Sequence, residues 1–224
     1  MLELVAARAL ELVRGSTVLG LGSGRAATAF IHALADEVKR GRSVRGVPTS
    51  EATARLAHEL GIPLAEPGPI EIDVTVDGAD EVDPKPDLIK GWGGALARER
   101  IVAAASRRQI ILVGADKLVP VLGTRGRLPV EVLTFALPWC AARLDRLGCR
   151  PRERVMDNGQ PFVTDNGNRI LDCAVGPISD PPALDRSIRS IPGVVDVGLF
   201  LGTAQVVLVG EGATVRVLER KGAA

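Results

Sequence analysis

Two short segments carry the residue types needed for acid–base chemistry on a small anionic substrate. Residues 77–81 read Asp-Gly-Ala-Asp-Glu, and residues 90–94 read Lys-Gly-Trp-Gly-Gly, with Glu99 shortly after them. Paired carboxylates repel each other, which raises the pKa of one of them and suits it to exchange protons with hydroxyl groups. An ammonium group and glycine backbone N–H groups stabilise a developing oxyanion. The two segments therefore predict a proton-transfer site made of carboxylates and a lysine.

A glycine-rich segment upstream predicts a phosphate site. Residues 22–27 read Gly-Ser-Gly-Arg-Ala-Ala, after a predicted strand and at the start of a predicted helix. Backbone N–H groups and the helix dipole favour an anion in such a place. A dinucleotide site would need an acidic residue near the end of the second strand, but residues 48–50 there read Pro-Thr-Ser. The pattern therefore favours a phosphate over a nicotinamide dinucleotide.

The chain contains few of the residues that histidine-based catalysis or metal binding would need. His32 and His58 are the two histidines, and both lie in predicted helices without neighbouring ligands. The three cysteines, Cys140, Cys149 and Cys173, are widely spaced and form no CxxC pair. We therefore expect no metal site, and we assign the acid–base work to carboxylates.

Composition limits the classes of partner and the location. Hydrophobic residues make up 46% of the 224 residues and aromatic residues 3%, which indicates an aliphatic core and argues against stacking on single-stranded nucleic acid. A net charge of +1 gives no general attraction to nucleic acid or to an anionic membrane. The N-terminal residues predict an amphipathic helix in place of a signal peptide, and no segment is long and apolar enough to span a bilayer. We expect a cytoplasmic protein.

The first half of the chain repeats a strand–helix pattern. We predict strands over 16–21, 44–47, 72–76 and 109–113, and helices over 25–38, 50–60 and 95–106. This order indicates an α/β, Rossmann-like domain with a mostly parallel sheet and helices on both faces. Asp77 and Asp80 would fall just past the carboxyl end of the third strand, where ligands bind in such sheets.

The pattern changes near Leu128 to strand, helix, strand, strand, helix, strand. Residues 162–164 and 169–171 predict two strands of a hairpin joined across Asn166-Gly167, and helices are predicted over 138–147 and 182–190. This order indicates an inserted ferredoxin-like α+β subdomain. We therefore predict one domain of residues 1–127 and 204–224 and a second of residues 128–203.

Several of these motifs together resemble ribose-5-phosphate isomerases of the A type. The matching segments run in order along nearly the whole chain, and they are 20–24 (GLGSG), 76–82 (VDGADEV), 88–91 (LIKG), 93–96 (GGAL), 98–102 (RERIV), 116–119 (DKLV), 128–132 (LPVEV) and 163–168 (VTDNGN). The resemblance implies a cofactor-free isomerisation of ribose 5-phosphate and ribulose 5-phosphate in the non-oxidative pentose phosphate pathway. It also implies a homo-oligomer, a dimer or a tetramer, whose partner is a small sugar phosphate.

The resemblance also implies a role for each matching site residue. Glu99 would be the general base, Asp77 and Asp80 would help to open the sugar ring and carry hydroxyl protons, and Lys90 would stabilise the oxyanion of a cis-enediolate. The implied substrate-binding positions are Ser23, Gly24, Arg25, Ala26, Gly78, Ala79, Gly91, Trp92, Gly93 and Lys117.

Three positions depart from the family pattern. A Ser-Thr pair usually closes the phosphate loop, whereas this chain has Arg25-Ala26, so a guanidinium would replace two hydroxyl donors. The lysine often found near the N-terminus is absent. Trp92 replaces a glycine and adds an apolar wall to the lysine segment.

Two other functions fit parts of the pattern. A non-catalytic sugar-phosphate sensor would tolerate loss of the acid–base residues, which this chain retains together. A nicotinamide-dependent oxidoreductase would need the ribose-binding acid that residues 48–50 do not provide.

Overall fold

The structure is a computed structural model that describes residues 1–68 and 71–220. Its α-helices are α1 (Leu2–Leu12), α2 (Arg25–Lys39), α3 (Glu51–Glu59), α4 (Leu96–Ala104), α5 (Leu137–Arg146) and α6 (Pro181–Arg189). Its strands are β1 (Val18–Leu21), β2 (Arg45–Pro48), β3 (Val74–Gly78), β4 (Glu81–Val82), β5 (Leu88–Ile89), β6 (Gln109–Gly114), β7 (Leu128–Val132), β8 (Pro151–Glu153), β9 (Arg169–Cys173), β10 (Val194–Val197), β11 (Leu199–Phe200), β12 (Val206–Glu211) and β13 (Thr214–Glu219). None of the helices in these ranges combines the length and hydropathy that a membrane crossing requires.

The chain divides into two compact units, and the first is built on a six-stranded sheet. This unit comprises Met1–Ala79, Arg98–Leu118 and the described residues from Gly202 on. Its strand order is β13-β12-β6-β3-β1-β2, and all neighbours are parallel except β12 and β13. The predicted mostly parallel α/β sheet is therefore confirmed, with β13 as an antiparallel edge strand that the sequence analysis missed.

Alternation along the strands gives this sheet two apolar faces. On one face Leu19 and Val76 join the cluster that includes Phe30 and Leu34 of α2, and all four are fully buried. On the other face Val18 packs with Val102 of α4. Full burial of a side chain of this size contributes roughly 1.5–3 kcal/mol, so these contacts hold the helices against both faces.

The second unit contains a four-stranded antiparallel sheet of order β10-β7-β9-β8. Helix α5 follows β7 and α6 follows β9, which is the ferredoxin-like order expected from the sequence. Its core joins β7, β9 and the two helices through Val130, Leu171, Leu144 and Ile188.

A small three-stranded sheet places the boundary between the units differently from the sequence prediction. Strands β4 and β5 pair with each other, and β5 pairs with β11. Val119 adds a hydrogen bond from its backbone N–H to the carbonyl oxygen of Val82 (2.9 Å). The second unit therefore comprises Asp80–Ala97 and Val119–Leu201, whereas the sequence analysis assigned residues 80–97 and 119–127 to the first domain.

The hairpin predicted around Asn166-Gly167 is only partly present. A turn does form, since the backbone N–H of Gly167 donates to the carbonyl oxygen of Thr164 (2.9 Å). Residues 162–164 are nevertheless not a strand, and the partner of β9 on that side is β8. Thr164 instead donates its hydroxyl to the buried carboxylate of Glu131 (3.0 Å), so this segment is used to solvate a buried charge.

Candidate active site

Asp77 is fully buried at the penultimate position of β3. Its Oδ1 accepts hydrogen bonds from the backbone N–H groups of Ser23 (3.0 Å) and Gly78 (2.7 Å), which fix the orientation of the carboxylate. The expectation that Asp77 lies just past the strand is wrong, because Asp77 continues the ladder as the partner of Ile111 in β6. Gly78, the last residue of β3, and Ala79 are both partly exposed.

Gly22 provides the room that the Asp77 carboxylate needs. A Cβ atom on Gly22 would lie 2.2 Å from Asp77 Oδ1 and 2.5 Å from Asp77 Cα. Both distances are far shorter than a van der Waals contact, so a larger residue would displace the carboxylate or the strand. The glycine is thus explained by the close approach of β1 and β3.

Asp77 and helix α4 lie on the same face of the six-stranded sheet. Side chains alternate along a strand, so Asp77 points to the same side as Thr75. Thr75 Oγ1 lies 2.5 Å from Ser106 Oγ and 3.5 Å from the carbonyl oxygen of Val102, both from α4 or its end.

Glu99 lies in the first turn of α4 and is 6% exposed. The other end of this helix lies at the start of β3, since the backbone N–H of Arg107 donates to the carbonyl oxygen of Ile72 (2.9 Å). Helix α4 therefore runs antiparallel to β3, and its first turn points toward the carboxyl end of the strand. Asp77 and Glu99 thus share one face and one end of this sheet.

Ser23 adds a cluster of hydroxyl groups at the same edge. Its Oγ lies 2.8 Å from Thr49 Oγ1, 3.0 Å from Ser50 Oγ and 3.2 Å from Thr53 Oγ1. Ser50 also caps α3 by accepting a hydrogen bond from the backbone N–H of Thr53 (3.0 Å). The sequence pattern does not predict this cluster, although the parallel pairing of β1 and β2 brings both loops to one edge.

The predicted phosphate loop leads into α2. Gly24 is the residue before the helix, and Arg25 is its first residue. Gly24 and Arg25 are exposed and Ala26 is partly buried. Within residues 1–68 and 71–220, the Arg25 guanidinium forms no ion pair, so the first turn of α2 offers backbone N–H groups beside a solvated positive charge.

Lys117 lies at the end of the short 3-10 helix Ala115–Lys117, which directly follows β6. Because β1, β3 and β6 are parallel neighbours, the residues after each strand meet at the same carboxyl edge. Lys117 is therefore at the edge that also holds Ser23 and Asp77, as the predicted substrate-binding role requires.

In the second unit, Lys90 follows β5 and is 2% exposed. Its backbone N–H donates to the carbonyl oxygen of Gly198 (2.9 Å), and its Nζ lies 5.7 Å from the ring centroid of Phe200. An ammonium over an aromatic face is attracted to the negative π cloud. Phe200, a residue that the sequence analysis did not select, thus helps to place the lysine.

Asp80 lies beside the lysine loop, which we define as residues 90–94. Its backbone N–H donates to the carbonyl oxygen of Ile89 (2.8 Å), and its Oδ2 accepts a hydrogen bond from the backbone N–H of Trp92 (2.9 Å). Asp80 therefore orients the lysine loop, while Asp77 is held by the glycine-rich segment 22–27 of the first unit.

The Arg154 side chain holds the lysine loop through two of the loop's carbonyl oxygens. Its Nη1 donates to the carbonyl oxygens of Gly91 and Trp92, each at 3.0 Å, and its Nε donates to Asp172 (2.9 Å). The Arg154 side chain is 8% exposed, so these bonds form largely away from water. Gly91 has φ +100°, a conformation that favours glycine. The loop turns tightly there, because the carbonyl oxygen of Gly91 also accepts a hydrogen bond from the backbone N–H of Gly94 (3.0 Å).

Trp92 is partly exposed and Gly93 is exposed at the tip of this loop. The indole Nε1 donates to the carbonyl oxygen of Arg127 (2.9 Å), and the Arg127 guanidinium lies 5.6 Å from the ring centroid. The indole is therefore fixed against residues 126–127. This position fits the expected apolar wall.

The chain is similar in sequence to known enzymes over nearly all of its length. The sequence model of the ribose 5-phosphate isomerase A (phosphoriboisomerase A) family matches residues 45–214. The ribose-5-phosphate isomerase A of Thermomicrobium roseum is 47% identical over 97% of this chain and 93% of its own length. The enzyme of the same name from Roseiflexus sp. is 51% identical over 91% of this chain and 89% of its own length.

Solved structures agree with these relatives. A D-ribose-5-phosphate isomerase in complex with phospho-erythronic acid superposes with a TM-score of 0.94 at 38% identity, over 98% of this chain and 97% of that one. The ribose 5-phosphate isomerase A of Methanocaldococcus jannaschii gives a TM-score of 0.93 at 36% identity, over 97% of both chains. The likeness covers both units, the glycine loop and the lysine loop, and this chain belongs to the ribose 5-phosphate isomerase A family.

Proposed function

We propose that this protein interconverts ribose 5-phosphate and ribulose 5-phosphate by moving a proton between C2 and C1 through a cis-enediolate. The observation that carries the proposal is the burial of two carboxylates, Asp77 and Glu99, on one face and at one end of the six-stranded sheet. A buried carboxylate beside a carbon acid is the minimal equipment for such a proton shift.

Glu99 is the proposed general base. Its place in the first turn of α4 keeps it close to backbone N–H groups of the helix start, and its burial shields it from bulk water. It would remove the proton from C2 and return it to C1, so that no net proton is consumed. General bases of this kind contribute about 10²- to 10⁴-fold to the rate.

Asp77 and Asp80 are proposed to move hydroxyl protons during ring opening and enediolate formation. The two amide donors on Asp77 Oδ1 hold that carboxylate in one orientation, and Asp80 is tied to the lysine loop through Trp92. A carboxylate fixed in this way does not have to reorganise when the substrate arrives, which lowers the barrier.

Lys90 is proposed to stabilise the enediolate oxyanion together with the backbone of residues 91–94. Its ammonium lies over Phe200, in a place that is almost closed to solvent. Charge stabilisation of this kind is stronger where water is excluded.

The phosphate of the substrate is proposed to bind at the start of α2. Gly24, Arg25 and Ala26 would supply backbone N–H groups and a guanidinium, while Ser23 and Lys117 lie at the same edge of the sheet. The Arg25 guanidinium, which can donate two parallel charge-assisted hydrogen bonds, would then replace the hydroxyl pair that the family usually carries there.

We further propose a cytoplasmic homo-oligomer, a dimer or a tetramer. The second unit exposes several large apolar side chains near the start of α5, among them Phe135, which is 99% exposed, with Leu133 and Trp139 about half exposed. Apolar groups clustered on a surface are typical of subunit contacts. Analytical ultracentrifugation would give the number of subunits.

The test is conversion of ribose 5-phosphate to ribulose 5-phosphate by purified protein, measured without added metal or nucleotide. We expect turnover in the wild type, a loss of about a hundredfold or more in kcat in Glu99→Gln, and little change in Glu59→Gln, which alters an exposed glutamate at the end of α3. A wild-type protein that binds the sugar phosphate without converting it would be the sensor. Activity that requires a nicotinamide dinucleotide would instead support an oxidoreductase.

A further inference from the structure

The second unit contains a cleft of about 740 Å³ to which the proposed isomerisation assigns no ligand. Five arginines line it, together with the indole of the lysine loop, and the six residues are Trp92, Arg125, Arg127, Arg150, Arg152 and Arg154. Two carboxylates, Glu153 and Asp172, also face the cleft, so the lining carries three more positive than negative charges. Like charges gathered in one concave surface repel one another unless an anion joins them.

The positive lining follows from the sequence around β8. Arg152 and Arg154 are two residues apart in and next to this strand, so their side chains leave the same face. Arg125 and Arg127 approach β7 with the same spacing. Alternation thus accounts for the pair from β8, and the segment before β7 adds the second pair, so positive charges outnumber negative ones at the cleft.

Three of the arginines are already fixed by the protein. Arg154 is bonded to Asp172 and to the lysine loop, Arg127 Nη1 lies 3.6 Å from Asp172 Oδ2, and Arg150 Nε donates to the carbonyl oxygen of Ala174 (3.0 Å). Donors held in place lose little conformational entropy when a ligand binds. Arg125 and Arg152 are exposed at the cleft, so their guanidinium groups are accessible to a ligand there.

We propose that this cleft binds a small molecule with two or three linked phosphate groups. Arginine matches phosphate oxygens with paired, charge-assisted hydrogen bonds. A phosphomonoester carries about two negative charges near pH 7, which would leave the lining positive, whereas a chain of two or three phosphates matches it. The volume lies within the roughly 300–1,000 Å³ of small-molecule pockets and far exceeds the size of one phosphate. Inorganic polyphosphates and nucleoside di- and triphosphates share this chemistry.

Trp92 makes the binding measurable. The chain has two tryptophans, and the other one, Trp139, is half exposed on α5. In a Trp139→Phe background, the fluorescence therefore reports Trp92 alone. We expect a saturable change on titration with inorganic tripolyphosphate, at least tenfold tighter than with inorganic phosphate, and weaker at high salt. Equal affinity for ATP would assign recognition to the phosphate chain, and tighter binding of ATP would add a contact to the base; both results support the proposal.

Matched charge variants separate this site from general attraction. Arg150→Gln with Arg152→Gln removes two charges from the cleft, and Arg146→Gln with Arg186→Gln removes two exposed charges from α5 and α6. We expect the cleft variant to bind tripolyphosphate about tenfold or more weakly and the control to change less than twofold.

Because Arg150 also bonds to Ala174, the single variant Arg152→Glu repeats the test without loss of that contact. Thermal unfolding of each variant, measured without ligand, verifies that the fold is intact. Equal weakening in the cleft and control variants, no saturable binding of tripolyphosphate, or simple competition between tripolyphosphate and ribose 5-phosphate would overturn the proposal. Binding of an oligonucleotide but not of tripolyphosphate would overturn it in favour of nucleic acid.

Discussion

Asp77 in the six-stranded sheet and the lysine loop of the second unit are held in place in different ways. Asp77 accepts hydrogen bonds from the backbone N–H groups of Ser23, two residues after the end of β1, and of its own neighbour Gly78. The lysine loop depends on Arg154, which lies 62 residues further along the chain than Trp92. The carboxylate is thus positioned by backbone groups, whereas the loop is held by side chains, namely the nearby Asp80 and the distant, buried Arg154.

This difference predicts different sensitivities to substitution. Backbone donors cannot be removed by changing a side chain, so the Asp77 arrangement is disturbed mainly by steric change. A guanidinium that satisfies two carbonyl oxygens and a carboxylate is lost in a single substitution. We therefore expect the lysine loop to be the more fragile of the two regions.

Arg154→Gln tests the fragile side and has the largest expected effect in this set. It leaves Asp172 without its main partner and removes the donor to Gly91 and Trp92, at a cost of about 3 kcal/mol in the free energy of unfolding. We also expect kcat to fall, because Lys90 loses its fixed loop. Urea denaturation and isomerase kinetics measure the two effects.

The matched control is Arg216→Gln, which removes an arginine bonded to Glu211 on the surface of the first unit. An exposed pair contributes about 0.5 kcal/mol, so this variant should remain nearly as stable as the wild type and fully active. Equal effects of the two substitutions would show that the lysine loop does not depend on Arg154.

Gly22→Ala tests the side held by backbone groups. The new methyl group would lie 2.2 Å from Asp77 Oδ1, so we expect a loss of roughly 2 kcal/mol in stability and a clear fall in kcat as the carboxylate shifts. Gly15→Ala is the control, because a Cβ there would meet no atom within 4 Å. If the two alanine variants were equally active, the close approach of β1 and β3 would not matter for catalysis.

The two regions also differ in how far the sequence predicts them. The glycine-rich segment 22–27 and the alternating strand residues are local patterns, and the parallel sheet and the edge that holds Asp77 followed from them. The three-stranded sheet could not be predicted from local patterns, because β4, β5 and β11 are each only two residues long and β11 pairs with a distant segment. Arg154 was missed for the same reason, since its partners lie far away in sequence and the pattern around it is that of a surface strand.

Arg25→Ala tests the proposed phosphate site at the start of α2. Losing the guanidinium at the start of α2 should raise the KM for ribose 5-phosphate about tenfold with little change in kcat, because a charge-assisted contact to phosphate contributes to binding of substrate and transition state alike. Arg25→Lys keeps the charge but not the fork, and we expect an intermediate KM. An unchanged KM in the alanine variant would show that backbone N–H groups alone hold the phosphate.

Asp73→Asn probes the opposite end of β3 and has the smallest expected effect. The backbone N–H groups of Val18 and Thr17 donate to Asp73, and they lower the pKa of this carboxyl in the folded protein. A lowered pKa means that the ionised carboxylate adds stability above the pKa of the unfolded chain, and that this stability is lost as pH falls through the folded value.

The asparagine variant should therefore be about 1 kcal/mol less stable at pH 7, and the deficit should shrink toward zero as pH falls below about 3.9, the value for an unperturbed aspartate. Urea denaturation of both proteins between pH 7 and pH 2.5 measures this difference, with isomerase activity at pH 7 as the second readout. Activity should be retained, since Asp73 lies at the end of β3 away from Asp77. A deficit that stays constant across the pH range would mean that the Asp73 carboxylate acts through its shape and not through its charge.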